Sequence, residues 1–324
     1  MQPDVFLLSR NMLIKASYYY YEKGYSQSTV ADLLGISVST VSRLLKKARE
    51  EKIVQFIISD TLTECIFLEE KLKKVLGLKD IVVAPITDAE LLDPTQGIKA
   101  VALEGARYLQ RFVNDGDVLG IAWGRTMYHL INRLNPCQKS GTSFVTLTGS
   151  LESVSYSLTS SSLVERIAMA FGGSAVSFNS NAFFPDEKSL TEAKRTADCQ
   201  KVFEAINRTT ISISGVGSLY PIFDSPLMKS SEFNDSDRRE IIENKPYGDL
   251  MLRFFDSEGQ LCDFELNSRT LAIDYDTYKS IPTKIIVANG AYKVDTIVAL
   301  LKGKLVDVLI IDSYLAERLF SKYE

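Results

Sequence analysis

The residues best suited to chemistry sit in turns. The segment 121–126, IAWGRT, follows an apolar run and precedes a helical pattern. Gly124 and Thr126 would offer backbone amides and a hydroxyl at a helix start, and Arg125 adds a charged donor pair. Such a set holds a phosphate, with Trp123 beside it. Three further turns carry glycines and hydroxyls: Thr148–Gly149–Ser150, the stretch 214–218 with Gly215 and Gly217, and Asn289–Gly290. Lys293, three residues beyond Gly290, has three readings: a cation for the same phosphate, an amine forming a Schiff base with an aldehyde sugar, or a solvated lysine. His129, one turn past Arg125, is the single histidine, so multi-histidine catalysis is impossible and most histidine-based metal sites are excluded. Either a packed or a catalytic role is open to it. No metal and no cofactor is expected.

A second group lies near the start, in QSTVADLLGISVSTVSRLLKKAREE. Gln27–Leu34 reads as a short helix stopped by Gly35, because a tight turn between crossing helices needs a residue that tolerates positive φ. Ser37 is a good N-cap for the next helix. There Val38, Val41, Leu45 and Ala48 are expected inside, while Ser39, Thr40, Arg43 and Lys47 are expected outside. Small hydroxyls at the helix start followed by cations suit a recognition helix, whose first turn meets base edges while cations grip phosphate. Arg43 has the two-pronged geometry that reads guanine. The candidate DNA contacts are Gln27, Ser37, Ser39, Thr40, Ser42, Arg43, Lys46 and Lys47. Ala31, Gly35, Val41 and Leu44 meet the packing constraints of a helix-turn-helix. A hairpin used only for packing would leave the polar and basic outer face unexplained.

These residues need elements to hold them. The spacing predicts a helix over 7–23, ended by Gly24, and a β-strand over 53–58 (IVQFII), read as a short wing. Over 59–80, Cys65, Leu68, Leu72 and Val75 mark an amphipathic helix, either a dimer contact or a segment packed on its own domain. From 81 to 324 strands and helices alternate, the mark of a parallel α/β sheet whose ligands settle at the strand carboxyl ends. Three parts follow: a (winged) helix-turn-helix domain at 1–58, a linker or dimerisation helix at 59–80, and a Rossmann-like α/β ligand-binding domain at 81–324.

Composition bounds the rest. The 324 residues are 45% hydrophobic and 24% charged, as in globular proteins of two domains. No apolar run is long enough to span a bilayer and no secretion signal is evident, so a cytoplasmic protein with no membrane partner is expected. Four scattered cysteines suggest reduced thiols rather than a disulfide frame. The net charge of −4 argues against nucleic acid only as an average. Residues 1–58 hold 8 basic and 5 acidic residues, a net of +3, which leaves −7 for the body. A basic head sits on an acidic body.

The head motif SQSTVADLLGISVSTVSRLLKKAREEKIV, the turn GIAWGRT, the segments GVGS and GDLMLRFFDSEG, and the closing ANGAYK and LKGKLVDVLIID together resemble the SorC family of bacterial transcriptional regulators. The resemblance spans nearly the whole chain. It implies that the ligand-binding domain is a sugar-binding effector domain similar to the sugar-phosphate isomerase, deaminase and CoA-transferase fold. It also implies double-stranded operator DNA and a phosphorylated sugar or related metabolite as partners, in a homodimer or homotetramer. It places Gly124, Arg125 and Thr126 in the phosphate turn and Lys293 as a ligand contact. Four positions depart from the pattern: Lys52 stands where glycine usually precedes the wing, and Ala122, Ala291 and Ile311 line the expected pocket.

The alternative is an isomerase or deaminase on the related fold. Asp256, Glu265 or Asp312 would have to serve as acid or base, but no compact carboxylate–histidine cluster is evident. For the recognition helix, Arg43→Ala should relax sequence preference, whereas Lys47→Ala should weaken binding to all sequences alike. Competition binding on operator and scrambled duplexes checks this. Unchanged binding by both variants would remove the recognition-helix assignment.

Overall fold

The computed structural model describes residues 10–55, 61–91, 93–151, 155, 158–222, 225–229 and 231–324. The chain divides into two compact units, 1–60 and 61–324.

The first unit packs helix α1 (Arg10–Ser17), continued by a π-turn at Tyr18–Glu22, against α2 (Gln27–Leu34) and α3 (Val38–Glu50). Ser26 and Ser37 cap α2 and α3 by accepting from the amides of Thr29 and Thr40, and Gly35 turns the chain at φ 65°. The buried stripe of α3 is Thr40, Val41, Leu44, Leu45 and Ala48. Val38, expected inside, is exposed, and Thr40, expected outside, is buried. With 100° per residue the two lie on opposite flanks of the Val41–Leu44–Ala48 line, so the neighbouring helices decide which flank is covered.

The expected wing is not seen at its start. Ile53 and Val54 fold back, both amides donating to the Ala48 carbonyl at 2.8 and 3.2 Å, and pack on the three-helix core. Residues 56–58 lie outside those described, as do positions 7–9 of the first expected helix. The fold-back needs a left-handed residue, and Lys52 takes that conformation at φ 56°.

The second unit begins with α4 (Thr61–Leu76), whose Cys65, Leu68 and Leu72 enter the main core. Glu69 accepts from the amide of edge-strand residue Val83 at 2.8 Å, so α4 covers the edge of its own sheet. The chain then runs β1 (Asp80–Ala84), α5 (Pro94–Phe112), β2 (Val118–Ile121), α6 (Arg125–Ile131), β3 (Ser143–Thr146), α7 (Ser160–Phe171) and β4 (Ser174–Val176). Helices α8 (Glu187–Lys194) and α9 (Ala197–Ile206) lead to β5 (Ile211–Ser214). Strand β6 (Gly217–Ser218), helix α10 (Asp235–Asn244), and strands β7 (Gly248–Leu250) and β8 (Arg253–Phe255) follow. The chain closes with β9 (Thr283–Ala288), α11 (Val294–Lys302), β10 (Val308–Asp312) and α12 (Ser313–Phe320).

Seven strands form one parallel sheet in the order β1-β10-β9-β5-β2-β3-β4. Both faces are buried: Ile285, Val287 and Ile310 enter one core, while Ile286, Ala288 and Ile311 enter the other. The order reverses between β2 and β5, because β3 and β4 run outward from β2 before the chain returns to β5 on its other side. The segment 249–259 contains a hairpin. Met251 and Leu252 form its two-residue turn, both at positive φ, and their side chains bury in separate clusters.

The Lys52 backbone carries a cost that glycine avoids. Lys52→Gly should stabilise the helical head by up to about 1 kcal/mol, since the relief of left-handed strain is offset by a freer unfolded chain. Urea unfolding of residues 1–60 followed within the full chain checks it. A loss of stability would contradict the assigned conformation.

Candidate functional site

A cavity of about 420 Å³ opens at the carboxyl ends of β2, β5, β9 and β10, beside the strand-order reversal. Its size suits a small metabolite. Four connections build it. After β2, Ala122, Trp123, Gly124, Arg125 and Thr126 line it; Gly124 stands at φ 116°, where only glycine sits comfortably, and starts α6. After β5 come Ser214, Gly215, Val216 and Gly217. After β9 come Asn289, Gly290, Ala291, Tyr292 and Lys293, and β10 ends in Asp312.

Lys293 is not solvated. It is 8% exposed and its Nζ donates to the Val216 carbonyl at 2.9 Å, which ties the β9 loop to the β5 loop. Asp312 clamps two elements: one carboxylate oxygen accepts from the Leu315 amide at 2.9 Å to cap α12, the other from the Gly290 amide. Burial raises its pKa, against the pull of those amides. Its role is to shape the loop.

The sequence reading missed Asp249. It lies on β7, lines the cavity, and is buried with Oδ1 lacking a hydrogen-bond partner. Burial raises its pKa to about 6, although the Ser225 hydroxyl and the Lys293 charge both favour the ionised form. Gly217, paired with Asp249 in register, leaves room for this carboxyl: a Cβ would stand 1.9 Å from Oδ1. Ser225, Met251, Asn289 and Tyr292 also line the cavity. The available signal was an acidic residue at the head of an otherwise apolar strand, in GDLML.

Of the expected ligand residues, Trp123, Gly124, Arg125, Thr126, Gly215, Gly217, Gly290 and Lys293 line the cavity, whereas Gly149 and Ser150 do not. Strand β3 lies one place beyond β2, away from the reversal. Its loop bonds instead to neighbouring segments: the Gly149 amide donates to Leu271, the Ser150 amide to Ser180, and a Cβ on Gly149 would stand 2.8 Å from the Ala182 backbone. His129, Asp256 and Glu265 are also absent from the lining. Burial, then the charges of Arg133, Lys99 and Arg125, lowers the His129 pKa. Asp256 accepts from the Glu258 and Gln260 amides in a surface turn.

On α3, Ser37, Ser39, Ser42, Arg43 and Lys46 are exposed together, Lys47 is partly so, and Gln27 opens α2. Ser37 shares hydrogen bonds with the hydroxyls of Ser39 and Thr40, and Arg43 donates to the Thr40 hydroxyl at 3.3 Å. Thr40 thus supports the exposed face from beneath.

Among the described residues no helix is long and apolar enough to cross a membrane, and no acidic, histidine or cysteine cluster could hold a metal ion.

The family described as "Putative sugar-binding domain" matches residues 60–321, and "Sigma-70, region 4" matches residues 13–51. The deoxyribonucleoside regulator of Bacillus subtilis is 28% identical over 314 residues, covering 96% of this chain and 97% of that protein. The erythritol catabolism regulatory protein EryD of Brucella abortus is also 28% identical, with 96% and 97% covered. The full-length sorbitol operon regulator SorC of Klebsiella pneumoniae has a similar fold, with a TM-score of 0.73 over 96% of this chain and 98% of that one, at 24% identity.

The buried carboxyl predicts a pH dependence. Its folded pKa of about 6 exceeds the unfolded carboxylate value, so the protonated form stabilises the fold, and that stability is lost as pH rises from about 4 through 6. Asp249→Asn should be flatter than wild type over this window and more stable at pH 7 without ligand. Denaturant midpoints at pH 4 to 7.5 test this, and parallel curves would refute it.

Proposed function

The chain belongs to the SorC family of transcriptional regulators with a sugar-binding domain, and on that premise we propose that it regulates transcription in response to a phosphorylated sugar. One observation carries the reading: a single cavity gathers Arg125 at a glycine turn, a buried lysine and a buried carboxylate with an open acceptor. Cations and turn amides suit a phosphate. Asp249, Ser225 and Asn289 suit hydroxyl groups, because a buried carboxylate oxygen without a donor gains most from an incoming O–H. Lys293, held by Val216, acts through its charge rather than as a free amine.

The relatives are named for operons of sorbitol, erythritol and deoxyribonucleosides, and the chain here acts on genes of carbohydrate use. Its helix-turn-helix binds double-stranded operator DNA. Working as a homodimer or homotetramer, it matches a two-fold operator, and the effector shifts the assembly between DNA-competent and incompetent spacings by binding one better. Such a regulator works in the cytoplasm beside the chromosome. These relatives are regulators, not enzymes. Of the acids that the isomerase or deaminase alternative would use, Asp256 and Glu265 lie outside the cavity lining, and the Asp312 carboxylate is engaged by the Gly290 and Leu315 amides.

Trp123 lies in the phosphate turn and is the single tryptophan. A phosphosugar panel should contain one compound that changes its fluorescence, raises the melting temperature and alters operator binding. Arg125→Ala should abolish all three responses. No response to any phosphosugar, with operator binding intact, would overturn the sensor assignment.

A further inference from the structure

We propose that Val38 is a specificity-determining residue that reads the C5-methyl group of a thymine in the major groove. The inference rests on the DNA-binding reading above and deepens it. Val38 is the first residue of α3, 47% exposed, with its side chain outside the buried stripe of its own helix. Ser37 and Ser39 flank it in the chain and Ser42 lies one turn on, all exposed, with exposed Arg43 further round the same helix. In a helix-turn-helix the first turn of the second helix is the part that meets base edges.

The polar groups of this turn are already engaged. Ser37 accepts from the Thr40 amide and shares bonds with the hydroxyls of Ser39 and Thr40, at 2.9 and 2.8 Å. Arg43 leans on the Thr40 hydroxyl. The two methyl groups of Val38 form the apolar part of a surface otherwise made of hydroxyls and a cation. In the major groove the apolar feature that matches them is the thymine methyl, which distinguishes T·A from every other pair. A β-branched residue also loses little side-chain freedom on contact, because χ1 is nearly fixed in a helix.

Other exposed aliphatic residues of the head do not share this position. Leu33 is 54% exposed but lies on α2, and Ile14 lies on α1. They serve as controls, since a general effect of surface hydrophobicity would involve all three alike.

The test removes the methyl from the DNA rather than from the protein alone. Full-length protein selects a duplex from a randomised pool, and each thymine is then replaced singly by deoxyuridine. Wild type should lose about fourfold in affinity at one thymine per half-site, the value of one buried methyl-sized group. Val38→Ser should bind the parent duplex more weakly and show no further loss at that uracil. Val38→Ile and Leu33→Ser should keep the wild-type sensitivity. If a duplex is selected and bound but no thymine is sensitive, or if Val38→Ser remains sensitive, the assignment is wrong while the DNA-binding reading stands. If no duplex is enriched at all, both fail.

Discussion

A parallel sheet buried on both faces forces each connection to cross over the sheet, so every strand ends at the same rim. Where the winding reverses, between β2 and β5, two successive loops must diverge and leave a gap. The cavity of this protein is that gap. Its position follows from the order of strands, and the loops after β9 and β10 close its remaining side.

What fills the rim is set by close approaches. Gly217 lets the Asp249 carboxyl lie directly against the β6 backbone, and Lys293 reaches across to Val216. The hairpin that presents Asp249 turns through two apolar residues at positive φ, each held by burial. Packing thus maintains a backbone that local preference disfavours. The result is a buried carboxyl beside a buried lysine, with one carboxyl oxygen left without a hydrogen-bond partner.

The helical head follows a different logic. Its caps and turn are local: Ser26, Gly35 and Ser37 each act within a few residues, and Gly35 and Ser37 were legible in the sequence for that reason. The inside and outside of α3 were legible only at the centre of the stripe. Val38 and Thr40, on its flanks, exchanged places because neighbouring helices, not periodicity, decide a flank. Ile53 and Val54 failed as a strand for a similar reason, since the end of α3 and the three-helix core claimed them first.

By itself the sequence determined the helix-turn-helix, the alternation of strands and helices, and the glycine loops after β2, β5 and β9, since these depend on periodicity, glycine and short spacing. It set 59–80 apart as a third part, whereas α4 falls in the second unit. The tertiary structure alone decided which glycine turns share a cavity. Gly149 and Ser150 carry the same local signature as Gly124 and Thr126, yet β3 stands one strand too far from the reversal. It also decided that Asp249 belongs to the site, because its partners Gly217, Ser225 and Lys293 lie 24 or more residues away in the chain and meet it only through the hairpin and the crossover. Spacing along a chain encodes what a turn can do. Only the order of strands in space encodes which turns act together.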